Sequence, residues 1–440
     1  MKYDLIVIGA GPAGMAAAEV VAAHQGKVAV VDAGLRPGGQ YYRHSGDDAV
    51  HPRGRVVRWQ RLTADIDYYP RHLVWHVSGG DGFTVAALVG QDGHAAELVG
   101  HAVLLATGAH DRTLPFPGWD LPGVMTAGGV QSLWKGSGVV PAGRTVVAGS
   151  GPFLLPVATG VLAGGGSLVG LFEANRISGR TLGLLRSAVR GAEAAGYLAR
   201  LTRHRVRYHT GHAVVAAEGV GRLEAVTVAR VAPDWSVVPG TARRIECDVL
   251  ATGYGFAPQL ELAQTLGCRL TIGADGTPVV AVSATQRTSV AGVYAAGETT
   301  GIGGAALAEV EGRLAGYAVV GGRPPGGLLT ARVRGRRFAE RLGRAFAVRD
   351  GWMDWLRQDT LVCRCEEVDV DAVVAARSRG GVEPRSAKLL SRAGMGVCQG
   401  RVCGFAVSCL TGDPSRAPWS RVIGQPVGLD VLAGEADGSA

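Results

Sequence analysis

Four cysteines near the end of the chain are the residues best suited to chemistry. Cys363-Arg364-Cys365 forms one close pair, Cys398 and Cys403 form another, and 32 residues separate Cys365 from Cys398. Four thiolates are the usual ligand set of a [2Fe-2S] centre. Structural zinc is the rival, but zinc modules favour C-x-x-C pairs, and neither pair here has that spacing. Gly394, Gly396, Gly400 and Gly404 allow tight turns whose N–H groups can face the sulfurs. Five of the seven cysteines fall in the last fifth of the chain. Such clustering points to a metal or cluster site and away from a disulfide framework. Cys247 and Cys268 lie far apart in sequence, form no C-x-x-C, and are expected to be small buried hydrophobes. Cys409 falls outside the pattern and is expected to pack.

A second constellation is a glycine turn, Gly9-Ala10-Gly11-Pro12-Ala13-Gly14, followed 23 residues after Gly9 by Asp32. Gly9 makes the turn, Gly11 lets the backbone approach a pyrophosphate, and Gly14 lets the following helix pack on the strand. Pro12 suits the first helical turn, where its missing donor is harmless. The N-terminus of that helix, entered at Ala13, offers N–H groups to phosphates, and Asp32 stands where a carboxylate would bind ribose hydroxyls. A like unit recurs at Gly149-Ser150-Gly151-Pro152-Phe153-Leu154, with Glu173 lying 24 residues after Gly149. This internal repeat predicts a second nucleotide site at Gly149, Gly151 and Glu173. Leu154 replaces the third glycine, so close helix–strand packing is not expected there. A working NADH site, a site for another adenine nucleotide, and a structural relic all stay open; Glu173 disfavours a 2′-phosphate.

These sites need elements to hold them. Tyr3 to Ile8, Lys27 to Val31, Val103 to Thr107, Arg144 to Ala148 and Ser167 to Phe172 read as buried parallel strands. Helices are predicted after each glycine turn and over Asp369 to Ser378, between the cysteine pairs. The 440 residues, 47% hydrophobic and 19% charged, suffice for two or three domains. The net charge of +8 is spread without a basic run, which argues against nucleic-acid binding. No window reads as a transmembrane segment: the most apolar, Val146 to Phe172, fits a strand–turn–helix–strand unit. The chain enters a strand at once, so a cytoplasmic location is expected. No Ser-His-Asp grouping, P-loop or H-E-x-x-H appears, and His204, His209 and His212 are expected to be strand and turn residues.

Several segments resemble two-dinucleotide-domain flavoproteins: Ala106-Thr107-Gly108, the Gly38-Gly39-Gln40 turn, and Ser289 to Gly297 followed by Glu298. The resemblance implies FAD in the first unit, with Gly39 and Gln40 near the flavin and Glu298, after Gly297, on the ribityl chain. Disulfide reductases of that architecture carry a redox cysteine pair, which this chain lacks. Taken with Leu114 to Val124, Arg392 to Gly396 and both cysteine pairs, the order of motifs resembles the alpha (A) subunits of bacterial opine oxidases, proline and hydroxyproline dehydrogenases, and hydrogen cyanide synthase. The C-terminal part resembles bacterioferritin-associated ferredoxin, with C-x4-C in place of C-x-x-C.

The resemblance implies an α/β fold of two Rossmann-like units plus a small [2Fe-2S] domain. The expected boundaries are 1–118 and 285–330 for a split FAD domain, 119–284 for the inserted second unit, 331–357 for a linker, 358–415 for the cluster domain on Cys363, Cys365, Cys398 and Cys403, and 416–440 for a tail. It implies an electron-transfer subunit of an amino- or imino-acid dehydrogenase acting on CH–NH donors. A beta flavoprotein subunit would oxidise the substrate, and a small ferredoxin-like subunit could complete the complex. It leaves room for a second adenine nucleotide, or for FMN at a subunit interface. The alternatives are a free-standing NAD(P)H-dependent flavoprotein and a nucleotide-binding scaffold without turnover. No residue is assigned as catalytic; Tyr41, Tyr42 and Arg43 follow the Gly-Gly turn, where flavin contact and turn packing are both open.

Overall fold

The computed structural model describes residues 2–44, 59, 61–62, 64–90, 94–177, 179, 188–412 and 423–433. The first unit runs β1 (Leu5–Ile8), α1 (Pro12–Ala23), β2 (Val28–Asp32), β3 (Asp67–Pro70) and β4 (Val103–Leu105). β1, β2 and β4 are wholly apolar apart from Asp32, as strands covered on both faces must be. The chain then makes β5 (Ala109–Asp111) and enters the second unit. This comprises β6 (Val124–Thr126), α2 (Ala127–Ser137), β7 (Arg144–Gly149), α3 (Leu154–Ala163), β8 (Ser167–Glu173), β9 (Tyr208–Thr210) and β10 (Val249–Gly253). β11 (Phe256–Pro258) pairs antiparallel with β5, tying the two exits together. β12 (Val293–Ala295) returns to pair with β4.

The two five-stranded parallel sheets have matching orders, β12-β4-β1-β2-β3 and β6-β10-β7-β8-β9. Their registers match as well: Val30, two residues before Asp32, faces Tyr68, and Leu171, two residues before Glu173, faces Tyr208. The internal repeat therefore extends from the glycine turns to whole sheets. In both units the glycine turn follows the central strand, at the strand ends where α/β folds bind ligands.

α4 (Ala305–Val319) lies against α1. The approach is close because Gly312 faces the Ala13 carbonyl, where an added Cβ would sit at 2.0 Å. Leu260, Leu262, Ala263 and Cys268 pack into the first sheet's core with Ile6, Val31 and Leu105. Packing thus returns the chain to the first unit well before residue 285, because the β5–β11 ribbon delivers it there directly.

The segment expected as a linker is ordered. α5 (Leu328–Ala345) is Arg-rich, and Arg336 and Arg332 reach Glu311 on α4 at 2.6 and 3.9 Å. After it, Trp352 and Trp355 are buried in one core with Trp235, Tyr254, Cys363 and Cys403. Two fully buried indoles contribute several kcal/mol of apolar burial, enough to fix a short connector. The C-terminal part follows as α6 (Val370–Ser378), α7 (Pro384–Ser391) and α8 (Gly404–Thr411). Asp369 caps α6 by accepting from the Ala372 N–H at 2.8 Å. No helix among the described residues is long and apolar enough to cross a membrane.

Candidate functional site

The first glycine turn is shaped as its sequence predicts. A Cβ on Gly9, at φ +107°, would stand 2.3 Å from the Ala106 carbonyl oxygen, and one on Gly14 would stand 1.9 Å from the Gly9 carbonyl. A Cβ on Gly11 meets nothing within 4 Å. The tight positions close the turn, and the open one leaves space above it. Asp32 accepts from the Ala10 N–H at 2.5 Å and the Gly34 N–H at 2.6 Å. Burial pushes its carboxyl above the usual range, opposed by these two donors. Beside it, the Tyr68 hydroxyl is buried with no partner among the described residues. Burial raises that phenol, and the charge of Asp32 raises it further.

The Gly38-Gly39-Gln40 turn lies directly on this site. Gly38 N–H donates to the Ala10 carbonyl at 2.8 Å, and a Cβ on Gly39 would come within 2.9 Å of the Gly11 Cα. Gln40 accepts from Arg43 and from Ser132 on α2, each at 3.1 Å. Thr107 donates to the Gln259 carbonyl at 3.0 Å, so the Ala106-Thr107-Gly108 turn is held by the returning chain. Glu298 accepts from the Gly304 N–H at 2.9 Å, which orders the entry to α4. Its carboxyl is pushed up to about 6, chiefly by burial. Sequence reading missed Glu311, which is buried and accepts from the Gly297 N–H at 3.1 Å. An acid within a helix of mostly small and apolar residues was the available signal.

An open ledge at Gly11 and an unpartnered buried hydroxyl beside a ribose-type carboxylate fit the adenosine diphosphate half of FAD.

The second turn follows the same plan with different occupants. A Cβ on Gly149, at φ +144°, would strike the Gly253 carbonyl at 1.8 Å. Leu154 does not hold the helix away from the sheet. α3 begins at Leu154, two positions later than α1 begins in its turn, and Leu154 is fully buried, approaching Gly253 of β10. Glu173 is also fully buried and is pushed up to about 7 by burial. His209 stacks on Phe172 at 5.1 Å within β8 and β9, a packing role.

The four C-terminal cysteines come together. Cys363 and Cys403 are buried and in side-chain contact, and Cys365 and Cys398 form a second contacting pair nearer solvent. Among the described residues no three His, Cys, Asp or Glu side chains converge on a single ion. Gly394 N–H donates to the Cys363 sulfur at 3.4 Å, and the N–H groups of Glu366 and Cys365 also reach it. A hydrogen bond from Cys403, aided by these amides, lowers Cys363 to about 6, while Cys403 is raised. A Cβ on Gly396 would lie 2.3 Å from the Cys365 Cβ, so only glycine fits beside that cysteine.

Cys247 and Cys268 are buried in two different cores, and burial raises both thiols, Cys247 to about 11. They form no redox pair.

The cysteine loop docks on the β5–β11 ribbon. Arg401 donates to the Cys398 carbonyl at 3.4 Å and to the Gly424 carbonyl at 2.6 Å, and its own carbonyl lies 3.1 Å from His110 Nε2 on β5. Arg112, one residue after β5, sits over the Phe405 ring of α8 at 4.8 Å.

The model of the pyridine nucleotide-disulphide oxidoreductase family matches residues 3–315. The hydrogen cyanide synthase subunit HcnB of Pseudomonas aeruginosa is 34% identical over 424 residues, covering 92% of this chain and 91% of that protein. The A-type polypeptide of opine oxidase from Agrobacterium tumefaciens is 34% identical over 459 residues, covering 92% and 85%. The solved L-proline dehydrogenase of P. horikoshii shares the fold, with TM-score 0.71 at 19% identity, covering 98% of this chain and 79% of that one.

Proposed function

The chain belongs to the pyridine nucleotide-disulphide oxidoreductase family and, within it, to the FAD-dependent subunits of amino-acid oxidases and dehydrogenases; from that membership we propose that it is the electron-transfer subunit of such a complex, carrying FAD and a [2Fe-2S] centre. The observation that supports this most is the double thiol pair, Cys363 with Cys403 and Cys365 with Cys398, next to amides that face the Cys363 sulfur. A partner flavoprotein would oxidise a CH–NH donor such as an amino or imino acid, and a small ferredoxin-like subunit would complete the assembly.

FAD, once bound, would supply a two-electron acceptor able to release electrons singly, and the two-iron centre would supply a one-electron carrier. This chain's residues do the positioning. The N–H groups of the turn from Gly9 to Gly14 would hold the pyrophosphate of FAD, Asp32 and Tyr68 would hold its ribose, and Glu298, which orders the turn into α4, would hold its ribityl chain. The lowered Cys363 thiol would supply the thiolate that an iron ligand requires. The division of labour is a split flavin unit, a second unit that cradles the C-terminal part, and a cluster-binding end.

Anaerobic purification of the chain together with its partner flavoprotein tests this reading. A flavin spectrum, two irons per chain and a reduced [2Fe-2S] paramagnetic signal are expected, with the iron and its signal lost together when the four thiols are removed. A colourless preparation, or zinc at the four sulfurs, would overturn it.

A further inference from the structure

We infer that the second glycine turn is shut to dinucleotides by the chain itself, with Phe346 as the specificity-determining residue that closes it. The internal repeat makes the comparison direct, since equivalent positions can be read in both units. A Cβ added to Gly11, at φ −74°, would meet nothing within 4 Å, whereas one added to the equivalent Gly151, at φ +107°, would come into van der Waals contact with the Phe346 Cβ at 4.0 Å. Ser150 Oγ donates to the Phe346 carbonyl at 3.2 Å, which anchors Phe346 beside the turn that a pyrophosphate would have to approach.

The ribose end is closed too. Glu173 accepts from the Gly151 N–H at 2.7 Å, the Asn175 N–H at 2.9 Å, Asn175 Nδ2 at 3.1 Å and the Tyr208 hydroxyl at 3.4 Å. Its lone pairs are engaged and its surface is fully covered. Tyr68, the register equivalent of Tyr208, leaves its hydroxyl unpartnered beside Asp32. One unit has kept its donors for a guest, and the other has turned them inward.

The closing segment is part of the core and not a lid. Asn175 Nδ2 donates to Ser150 Oγ at 2.8 Å, and Asn175 Oδ1 accepts from Trp235 Nε1 at 3.3 Å. Trp235 in turn stacks on Trp355 of the connector, with ring centroids 6.2 Å apart. The consequence is chemical. A nicotinamide dinucleotide finds no seat in the second unit, so this chain does not draw its reducing equivalents from NADH bound there.

Flavin-replete protein, purified with its partner, is titrated with ADP and with NADH. The unaltered protein should show no saturable binding up to about 1 mM. Phe346→Gly combined with Tyr208→Phe, which opens the turn and frees one Glu173 oxygen, should gain one ADP equivalent, bound at least about tenfold more tightly than that limit, while Phe346→Leu should gain none. Flavin content and melting temperature confirm that each variant is folded. Saturable binding to the unaltered protein that is lost in Glu173→Ala would overturn the inference, as would a folded Phe346→Gly, Tyr208→Phe double variant with no gain. ADP carries no electrons, so failure of the electron-transfer reading would leave this count unchanged.

Discussion

The Arg401 guanidinium meets the Glu261 carboxylate at 2.7 Å, with only 16% and 9% of the two side chains exposed. Arg401 lies between Cys398 and Cys403, and Glu261 lies just after the β5–β11 ribbon returns the chain to the first unit. This one ion pair therefore links the cysteine loop to the core of the flavin unit. Arg401→Ala leaves a buried carboxylate uncompensated. It should lower stability by about 2–3 kcal/mol, less than the roughly 3–5 kcal/mol of a fully buried pair. Denaturant unfolding followed by tryptophan fluorescence measures this, and adding Glu261→Gln should restore about half. Equal stability of Arg401→Ala and the unaltered chain would show that the pair does not hold the interface.

Gly9 and Gly11 separate folding from binding. Gly9→Ala forces a Cβ to within 2.3 Å of a backbone oxygen at positive φ, and should lose at least about 2 kcal/mol. Gly11 has φ −74° and open space, so Gly11→Ala should change stability by no more than about 0.5 kcal/mol. Flavin retained on a desalting column should nevertheless fall sharply in Gly11→Ala. Undiminished flavin in that variant would argue against a pyrophosphate above the turn.

Tyr68 and Tyr208 should respond oppositely to loss of the hydroxyl. Tyr208→Phe removes a donor from Glu173 and should lower stability by about 0.5–1.5 kcal/mol without affecting flavin content. Tyr68→Phe removes an unpartnered hydroxyl and should leave the apoprotein at least as stable. Its flavin affinity should drop by about five- to tenfold, the worth of roughly one hydrogen bond. Thermal melts with and without added FAD read both effects.

Glu173 gives the chain a pH signature. Its ordinary pKa of 4.5 is raised to about 7 in the folded chain. The folded state therefore holds a proton that the unfolded state has already released. The stability this confers is full below about 4.5 and is lost as pH rises through 7. Glu173→Gln removes the titration, so its stability relative to the unaltered chain should improve by about 2–3 kcal/mol between pH 5 and pH 8. Parallel pH–stability curves for the two proteins would show that Glu173 does not titrate in this way.

Much of the site could be read from sequence because its parts are local. Gly9 to Asp32, Gly149 to Glu173 and the two cysteine pairs are each set by short-range spacing, and their strands are apolar runs with no competing pattern. What sequence does not disclose depends on distant contacts. Phe346 meets Gly151 across 195 residues, and no local feature of either announces it. α5 reads as a linker because its arginines hide an amphipathic helix whose charges are answered by Glu311. Leu154 reads as a residue that would hold a helix off its strand. The glycine that accommodates it, Gly253, lies on another strand of the sheet.

Strand order also sets the timing of assembly. The second sheet draws all five strands from residues 124 to 253, whereas the first waits for β12 at Val293–Ala295 to cover β4. Synthesis proceeds from the N-terminus, so the later-encoded sheet is complete while the earlier one still exposes an apolar edge. That edge, Val103 to Leu105, is a hazard on the ribosome that ends only when nearly 300 residues have emerged. The long-range closure of the first sheet by β12 is therefore expected to fold more slowly than the locally assembled second sheet, which refolding kinetics of the two units would read.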